Sequence, residues 1–218
     1  MIDLREHLLA LRGQLRSASP LQGDRFAAWC CLPLADDARV AAFLDERAPG
    51  LARRVRRELE VAWRGETFDA AVAEALWRLE WDADVADGDD EAPALLATDL
   101  RTAVAFLRRW QASRDPAHLA ACAQSLVNAI DYLHAFELLD PAVARPVEGE
   151  LVAQRRFAGE LLADAEPARD RHRHHEWLYG GREHARRGFD PTGFGEPESA
   201  SRRGAGAGTG LRPVPVFL

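Results

Sequence analysis

The chain contains no lysine, so all 28 of its basic residues are arginine. A GC-rich coding bias explains this composition, and the arginines are therefore not evidence of bidentate chemistry. Cysteine is also scarce: there are three residues, of which Cys30 and Cys31 are adjacent. An odd count without a C-x-x-C spacing predicts buried, reduced thiols in a cytoplasmic protein.

Long apolar runs are absent as well. No segment approaches the roughly 18 to 20 apolar residues that span a bilayer. The N-terminus is charged from Asp3 onward, which is unlike a signal peptide. We therefore expect a cytoplasmic protein with no membrane contact. Alternating strand patterns, hairpin signals and internal repeats are missing too, so no sheet is predicted.

Catalytic motifs are also missing from the sequence. It contains no G-x-S-x-G, no P-loop and no glycine-rich dinucleotide turn. The absence of these motifs argues against an enzyme. It does not exclude one, because all-helical folds do host enzymes. No cofactor is predicted.

Charge is unevenly distributed along the 218 residues, whose formal net charge is −7. Up to Glu166 there are 19 arginines against 29 acidic residues, whereas from Pro167 onward there are nine arginines against six. An acidic body argues against broad nucleic-acid binding by the domain itself. Any contact with nucleic acid is expected to be weak and to involve the basic tail.

The segment from Asp115 to Asp140 is predicted to be the central and most buried helix. Asp115 is a good N-cap, Pro116 fits the first helical position, and Pro141 is expected to stop the helix. Apolar residues recur at spacings of three and four, which is the period of a helix with a buried side: Leu119, Cys122, Leu126, Ile130, Leu133 and Phe136. Ser125 and Asn128 are interpreted as buried hydrogen-bonding residues.

Similar apolar stripes predict an all-α bundle of about seven helices over residues 1–166. Expected boundaries include a Ser19-Pro20 start, an end or kink at Pro33, a cap at Thr67 and an end at Gly65 for the arginine-rich helix before it. That helix carries a cluster interpreted as a solvated face paired with neighbouring glutamates: Arg53, Arg54, Arg56 and Arg57. The acidic run 82–91 is predicted to be a solvated loop, and the glycine- and proline-rich tail 167–218 to be mostly disordered.

Five segments, taken in order, resemble the YjaG-like family of bacterial proteins (domain of unknown function 416) over about residues 3–166. They are FAAWCCLPLADDARVAAF from Phe26, VAWRGE with Phe68 after it, LLATDLRTAVAFL, the central helix, and DPAVARPVEGELVAQRRFAGELL from Asp140. The resemblance places Asp99 on the family's matched aspartate. It implies an all-helical fold and no settled activity.

A metal site in the bundle is the alternative to a binding function. Asp131 and His134 are three residues apart on the central helix, as in half of a carboxylate-bridged metal site. Asp99, Glu148 and Glu150 are candidate carboxylate ligands from other helices. In the tail, His172, His174 and His175 are candidate ligands for a transition metal, because neutral imidazole binds such ions.

The leading hypothesis is that the protein acts by binding another macromolecule, expected to be a protein, as an adaptor, regulator or immunity-type module. The runner-up is a metal-dependent enzyme or metalloprotein that uses Asp99, Asp131, His134 and Glu150. The sequence predicts neither the specific partner nor the oligomeric state.

Overall fold

The structure, a computed structural model, describes residues 3–79, 91–139 and 145–163, and it shows an all-α bundle without a strand in those ranges. Its helices are α1 (Leu4–Gln14), α2 (Pro20–Asp36), α3 (Ala38–Arg47), α4 (Leu51–Trp63), α5 (Ala70–Arg78), α6 (Glu91–Ser113), α7 (Pro116–Ala135) and α8 (Pro146–Leu162), with a 3₁₀ turn over Leu15–Ser17. The all-α prediction is confirmed. Of the acidic run 82–91 predicted as a loop, Glu91 is instead the first residue of α6, and residues 82–90 lie outside the described residues, as does the tail 167–218.

Most helix starts are set by side chains that accept the first backbone N–H groups. Ser19 and Gln22 form a capping box, with each side chain accepting the other residue's backbone N–H. Four further helices begin after an aspartate cap, at Asp3, Asp37, Asp69 and Asp115. The predicted starts at Ser19 and Asp115 are therefore confirmed, whereas the expected Thr67 cap is wrong, because Asp69 accepts the Ala71 N–H.

Three helices, α2, α6 and α7, form the centre of the bundle. α1 and α8 pack on one side of them, and α3, α4 and α5 pack on the other. The most buried of the central helices is α2, with 12 buried residues among 17, rather than α7, with 10 among 20. The prediction for α7 is wrong because α2 has packing partners on both sides of the bundle. α2 also continues through Pro33 to Asp36 instead of ending there.

The apolar stripe of α7 is buried as predicted up to Leu133. The helix then ends at Ala135, and Phe136 is 60 % exposed, contrary to the prediction. Glu137 adopts a positive φ of 56°, so the chain turns away from the helix direction before Pro141, which lies outside the described residues. Asn128 is exposed, whereas Ser125 is buried and donates to the Ala121 carbonyl at 3.2 Å.

Aromatic rings join α8 to the other helices. The ring of Phe157 stacks on Trp29 of α2 with centroids 4.6 Å apart, and it also lies beside Phe26 and Trp63. All three cysteines are buried and free, as predicted. Burial raises the pKa values of Cys30 and Cys122 well above their ordinary range, which makes these thiols unreactive.

Candidate functional site

The predicted metal ligands do not converge on one place. Asp131 and His134 are exposed on α7, whereas Glu150 is fully buried on α8. Asp99 lies half-buried on α6. Over residues 3–79, 91–139 and 145–163, no group of three or more metal-binding side chains occurs. The candidate tail ligands His172, His174 and His175 lie outside those ranges.

Asp99 is the most perturbed carboxyl group for which the structure gives a pKa value. Burial raises its pKa from the ordinary 3.8 to about 7. A carboxyl group of this kind gains and loses its proton near neutral pH, so it carries a pH-dependent charge on α6. A titratable group alone does not make a catalytic site, because it needs a reacting group beside it.

Glu150 belongs to a buried polar cluster that joins α1, α7 and α8. Gln154 lies at its centre: its amide nitrogen donates to Glu150 Oε1 at 2.9 Å and to the Ala123 carbonyl at 3.1 Å. Its amide oxygen accepts from His7 Nε2 at 3.0 Å, and His7 Nδ1 accepts from Arg155 Nε at 3.1 Å. This arrangement holds His7 as a neutral ring, in agreement with the lowering of its pKa by burial and by the Arg155 charge.

A second buried polar cluster joins α2 to the end of α6. Asp24 Oδ1 accepts from Trp110 Nε1 and from an Arg114 NH group, both at 2.9 Å. Gly23 permits this close approach, because a Cβ atom built at its position would lie 2.0 Å from the Trp110 ring. Burial raises the pKa of Asp24 while the Arg114 charge opposes the rise. Both clusters are internally paired and hold helices together.

A groove of about 560 Å³ with both charged and apolar side chains lies between α5 and α6. We call it the α5–α6 groove. Its residues recur at spacings of three, four and seven along each helix, so one side of α5 faces one side of α6. Alanines leave the space open, and longer side chains form the rims; the lining is Ala70, Ala73, Glu74, Trp77, Arg101, Val104, Ala105, Arg108, Arg109 and Ala112.

Contacts at both ends of the groove hold α5 and α6 in place. At one end, the Gln111 side chain accepts from the Phe68 N–H and donates to the Glu66 carbonyl, both at 3.0 Å. At the other end, the guanidinium of Arg101 lies 4.7 Å from the centre of the Trp77 ring. The two helices are therefore antiparallel, and the groove is a preformed feature of the fold.

The groove is basic although the protein as a whole is acidic. Its lining has three arginines and one carboxylate, and that carboxylate, Glu74, already pairs with Arg78 on the same helix. In the described part of the chain, neither Arg108 nor Arg109 forms an ion pair. Arg109 lies over the Phe106 ring at 5.3 Å. Arg108 and Arg109 are thus cationic groups of the groove with no carboxylate partner in these ranges.

A second groove, of about 660 Å³, lies between α1 and α7. Two of its three charged groups have partners: Arg12 lies 3.8 Å from Asp115, and Asp3 caps α1. The rest of the lining is Leu4, Arg5, Leu8, Leu9, three alanines and Gln124. It therefore has a weaker electrostatic signature than the α5–α6 groove.

Comparison with known proteins finds no relative. No family model matches the sequence, and neither a curated protein nor a solved structure matches it. The resemblance to the YjaG-like family stays a prediction. Among the described residues, no helix combines the length and the apolar character that crossing a membrane requires.

The sequence interpretation did not single out the residues of the α5–α6 groove. One signal was present: Trp77 falls outside the apolar stripe of its helix, which Val72 and Leu76 form. An aromatic residue on the polar side of a helix is a candidate contact residue. The adjacent Arg108 and Arg109 gave no comparable signal, because a charged pair on a helix is most often solvated.

The arginine cluster on α4 was predicted to be a solvated face paired with neighbouring glutamates. Arg53 and Arg54 are indeed exposed, whereas Arg56 pairs with Asp36 at 2.6 Å rather than with a neighbouring glutamate.

Proposed function

We propose that this chain is a cytoplasmic protein that acts by binding another protein, as an adaptor, regulator or immunity-type partner. The α5–α6 groove is the surface proposed for that contact. The observation that carries the proposal is the exposed Trp77 together with Arg108 and Arg109, which form no ion pair within the described ranges, in the lining of one concavity.

Tryptophan and arginine are the residues most enriched at the energetic centres of protein interfaces. Trp77 is 60 % exposed although it is large and apolar, so its ring has surface to bury against a partner. Arg108 and Arg109 can donate hydrogen bonds to carbonyl or carboxylate groups on that partner. Because Gln111 fixes the spacing of α5 and α6, little ordering is needed on binding.

A crosslinking experiment in the native host tests the proposal. A photoreactive amino acid is placed at Ala112, which is exposed on the groove rim, or at Val152, which is 58 % exposed on α8. We expect a discrete crosslinked protein from position 112 and not from position 152.

Matched double variants decide whether the crosslink depends on the groove. Arg108→Ala with Arg109→Ala is expected to abolish the crosslink at position 112. Arg53→Ala with Arg54→Ala removes the same charge from another adjacent pair, on α4, and is expected to retain the crosslink. Equal crosslinking from positions 112 and 152, or equal loss in both double variants, would overturn the proposal.

A further inference from the structure

The local charge of the α5–α6 groove is opposite to that of the whole protein. The formal net charge is −7, yet the groove lining has three arginines and one glutamate. The glutamate is already paired with Arg78, outside the lining. A groove of this sign attracts carboxylates, whereas the surrounding protein repels them.

Helix geometry sets the length of the occupant. From Arg101 to Ala112 the groove follows α6 for about 16 Å, at about 1.5 Å per residue. An extended peptide advances about 3.3 Å per residue, so about five residues of extended chain fit.

The apolar part of the groove indicates a mixed occupant. Ala73, Ala105 and the buried Val104 lie between the charged rims, and Trp77 stands at one end. A purely anionic chain leaves this surface in contact with water. An aliphatic or aromatic side chain placed on Trp77 removes it from water.

We infer that the occupant of the α5–α6 groove is a short acidic segment of the partner protein that also carries one large apolar side chain. This inference rests on the proposed function. A peptide fits better than nucleic acid, because the groove is short and the acidic body repels a longer polyanion.

Fluorescence anisotropy with defined probes tests the inference on the full chain. The acidic probe is a labelled 12-residue peptide of glutamates with a central Leu-Phe pair. The controls are the same peptide with lysines in place of glutamates and a 12-nucleotide single-stranded thymidine oligomer. We expect saturable binding of the acidic probe only, weakening several-fold between about 50 and 300 mM salt.

Variants locate the bound probe. Arg108→Ala with Arg109→Ala is expected to weaken binding of the acidic probe about threefold to tenfold, and Trp77→Ala by a similar factor. Arg108→Lys with Arg109→Lys is expected to restore most of the affinity, because lysine keeps the charge. Arg53→Ala with Arg54→Ala matches the loss of charge at another site and is expected to leave affinity within about twofold. Thermal midpoints within a few degrees of the wild-type value exclude unfolding as the cause.

Four outcomes overturn the inference. The first is no binding of the acidic probe, and the second is binding that the Arg53/Arg54 variant weakens as much as the Arg108/Arg109 variant does. The third is preferential binding of the oligonucleotide, which identifies nucleic acid as the ligand class. If replacing residues 82–90 by glycine and serine is required for the probe to bind, the chain's own acidic run competes for the groove, and the inferred partner is wrong. A crosslink at Ala112 together with a failed acidic probe leaves the proposed function standing and removes only the acidic partner.

Discussion

The buried cluster around Gln154 and the α5–α6 groove differ in whether their polar side chains are paired within the fold. In the buried cluster, His7, Gln154 and Glu150 exchange hydrogen bonds of 2.9 to 3.0 Å. On the groove rim, Arg108 and Arg109 form no ion pair within the described ranges. The cluster is closed by the fold itself, whereas the groove leaves binding capacity open to a partner.

This difference separates polar residues that stabilise the fold from those that are available for function. A buried polar group without its partner costs about 1 to 3 kcal/mol, so interior groups must be paired in the folded chain. An exposed arginine has water as a partner and can therefore exchange water for a ligand at little cost. The predictions below test whether the interior and the groove differ in this way.

The largest loss of unfolding free energy is expected from a change in the apolar core. This loss is the reference for the smaller changes below. Ile130→Ala removes a fully buried side chain from α7 and should lower the free energy of unfolding by about 2 to 5 kcal/mol, through lost burial and a residual cavity. Urea denaturation measures this loss. Val152→Ala, at a 58 % exposed position, is the control. A loss below roughly 0.5 kcal/mol for Ile130→Ala would show that the buried side of α7 is misplaced.

The second effect tests the buried polar cluster directly. Gln154→Leu keeps the volume but removes one hydrogen-bond partner from His7 and one from Glu150, and it should destabilise the fold by about 2 to 4 kcal/mol. Gln124→Leu, at an exposed position on α7, is the matched control and should change stability by less than about 0.5 kcal/mol. Equal stabilities of the two variants would mean that the buried cluster does not hold α8 in place.

The third effect is pH-dependent and concerns Asp99. Its folded pKa of about 7 lies above the ordinary 3.8, so the folded state binds the proton more tightly than the unfolded state. The contribution of protonated Asp99 to the free energy of unfolding is therefore fully present below about pH 4 and is lost as the pH rises through about 7. Asp99→Asn should therefore stabilise the protein by about 1 to 3 kcal/mol at pH 8 and have little effect near pH 4.

Thermal unfolding of the Asp99→Asn variant across this pH range measures the effect. Asp131→Asn, at an exposed position on α7, is the control for the loss of one carboxylate. A constant difference between Asp99→Asn and the wild type from pH 4 to pH 8 would rule out titration of Asp99 in this window.

The smallest effect on stability is expected at the groove. Arg108→Ala with Arg109→Ala should shift the free energy of unfolding by no more than about 0.5 kcal/mol, because no ion pair within the described ranges is broken. Chemical denaturation of this double variant and of the Gln154→Leu variant compares the two losses of unfolding free energy directly. A loss of 2 kcal/mol or more from the arginine pair would place these residues with the interior cluster and remove the distinction.

Much of the helical framework followed from the sequence. The Ser19-Pro20 and Asp115-Pro116 starts were predictable, because an N-cap and a first-turn proline act through bonds to the next few residues. The buried stripe of α7 up to Leu133 was predictable for the same reason, since spacings of three and four place side chains on one face. The site residues were not predictable in this way. The predicted ligands Asp131 and Glu150 proved to lie on an exposed face and in the interior, respectively.

The sequence by itself determined the fold class, the apolar faces and the reduced state of the buried cysteines, because periodicity and composition are properties of short stretches of chain. Tertiary structure decided which faces meet. His7 bonds to Gln154 across 147 positions, and Trp110 bonds to Asp24 across 86. The α5–α6 groove likewise depends on long-range contacts, because Gln111 bonds to the segment before α5 while alanines of both helices line the space between them. Packing between helices depends on the shapes of both partners, and no local pattern encodes it.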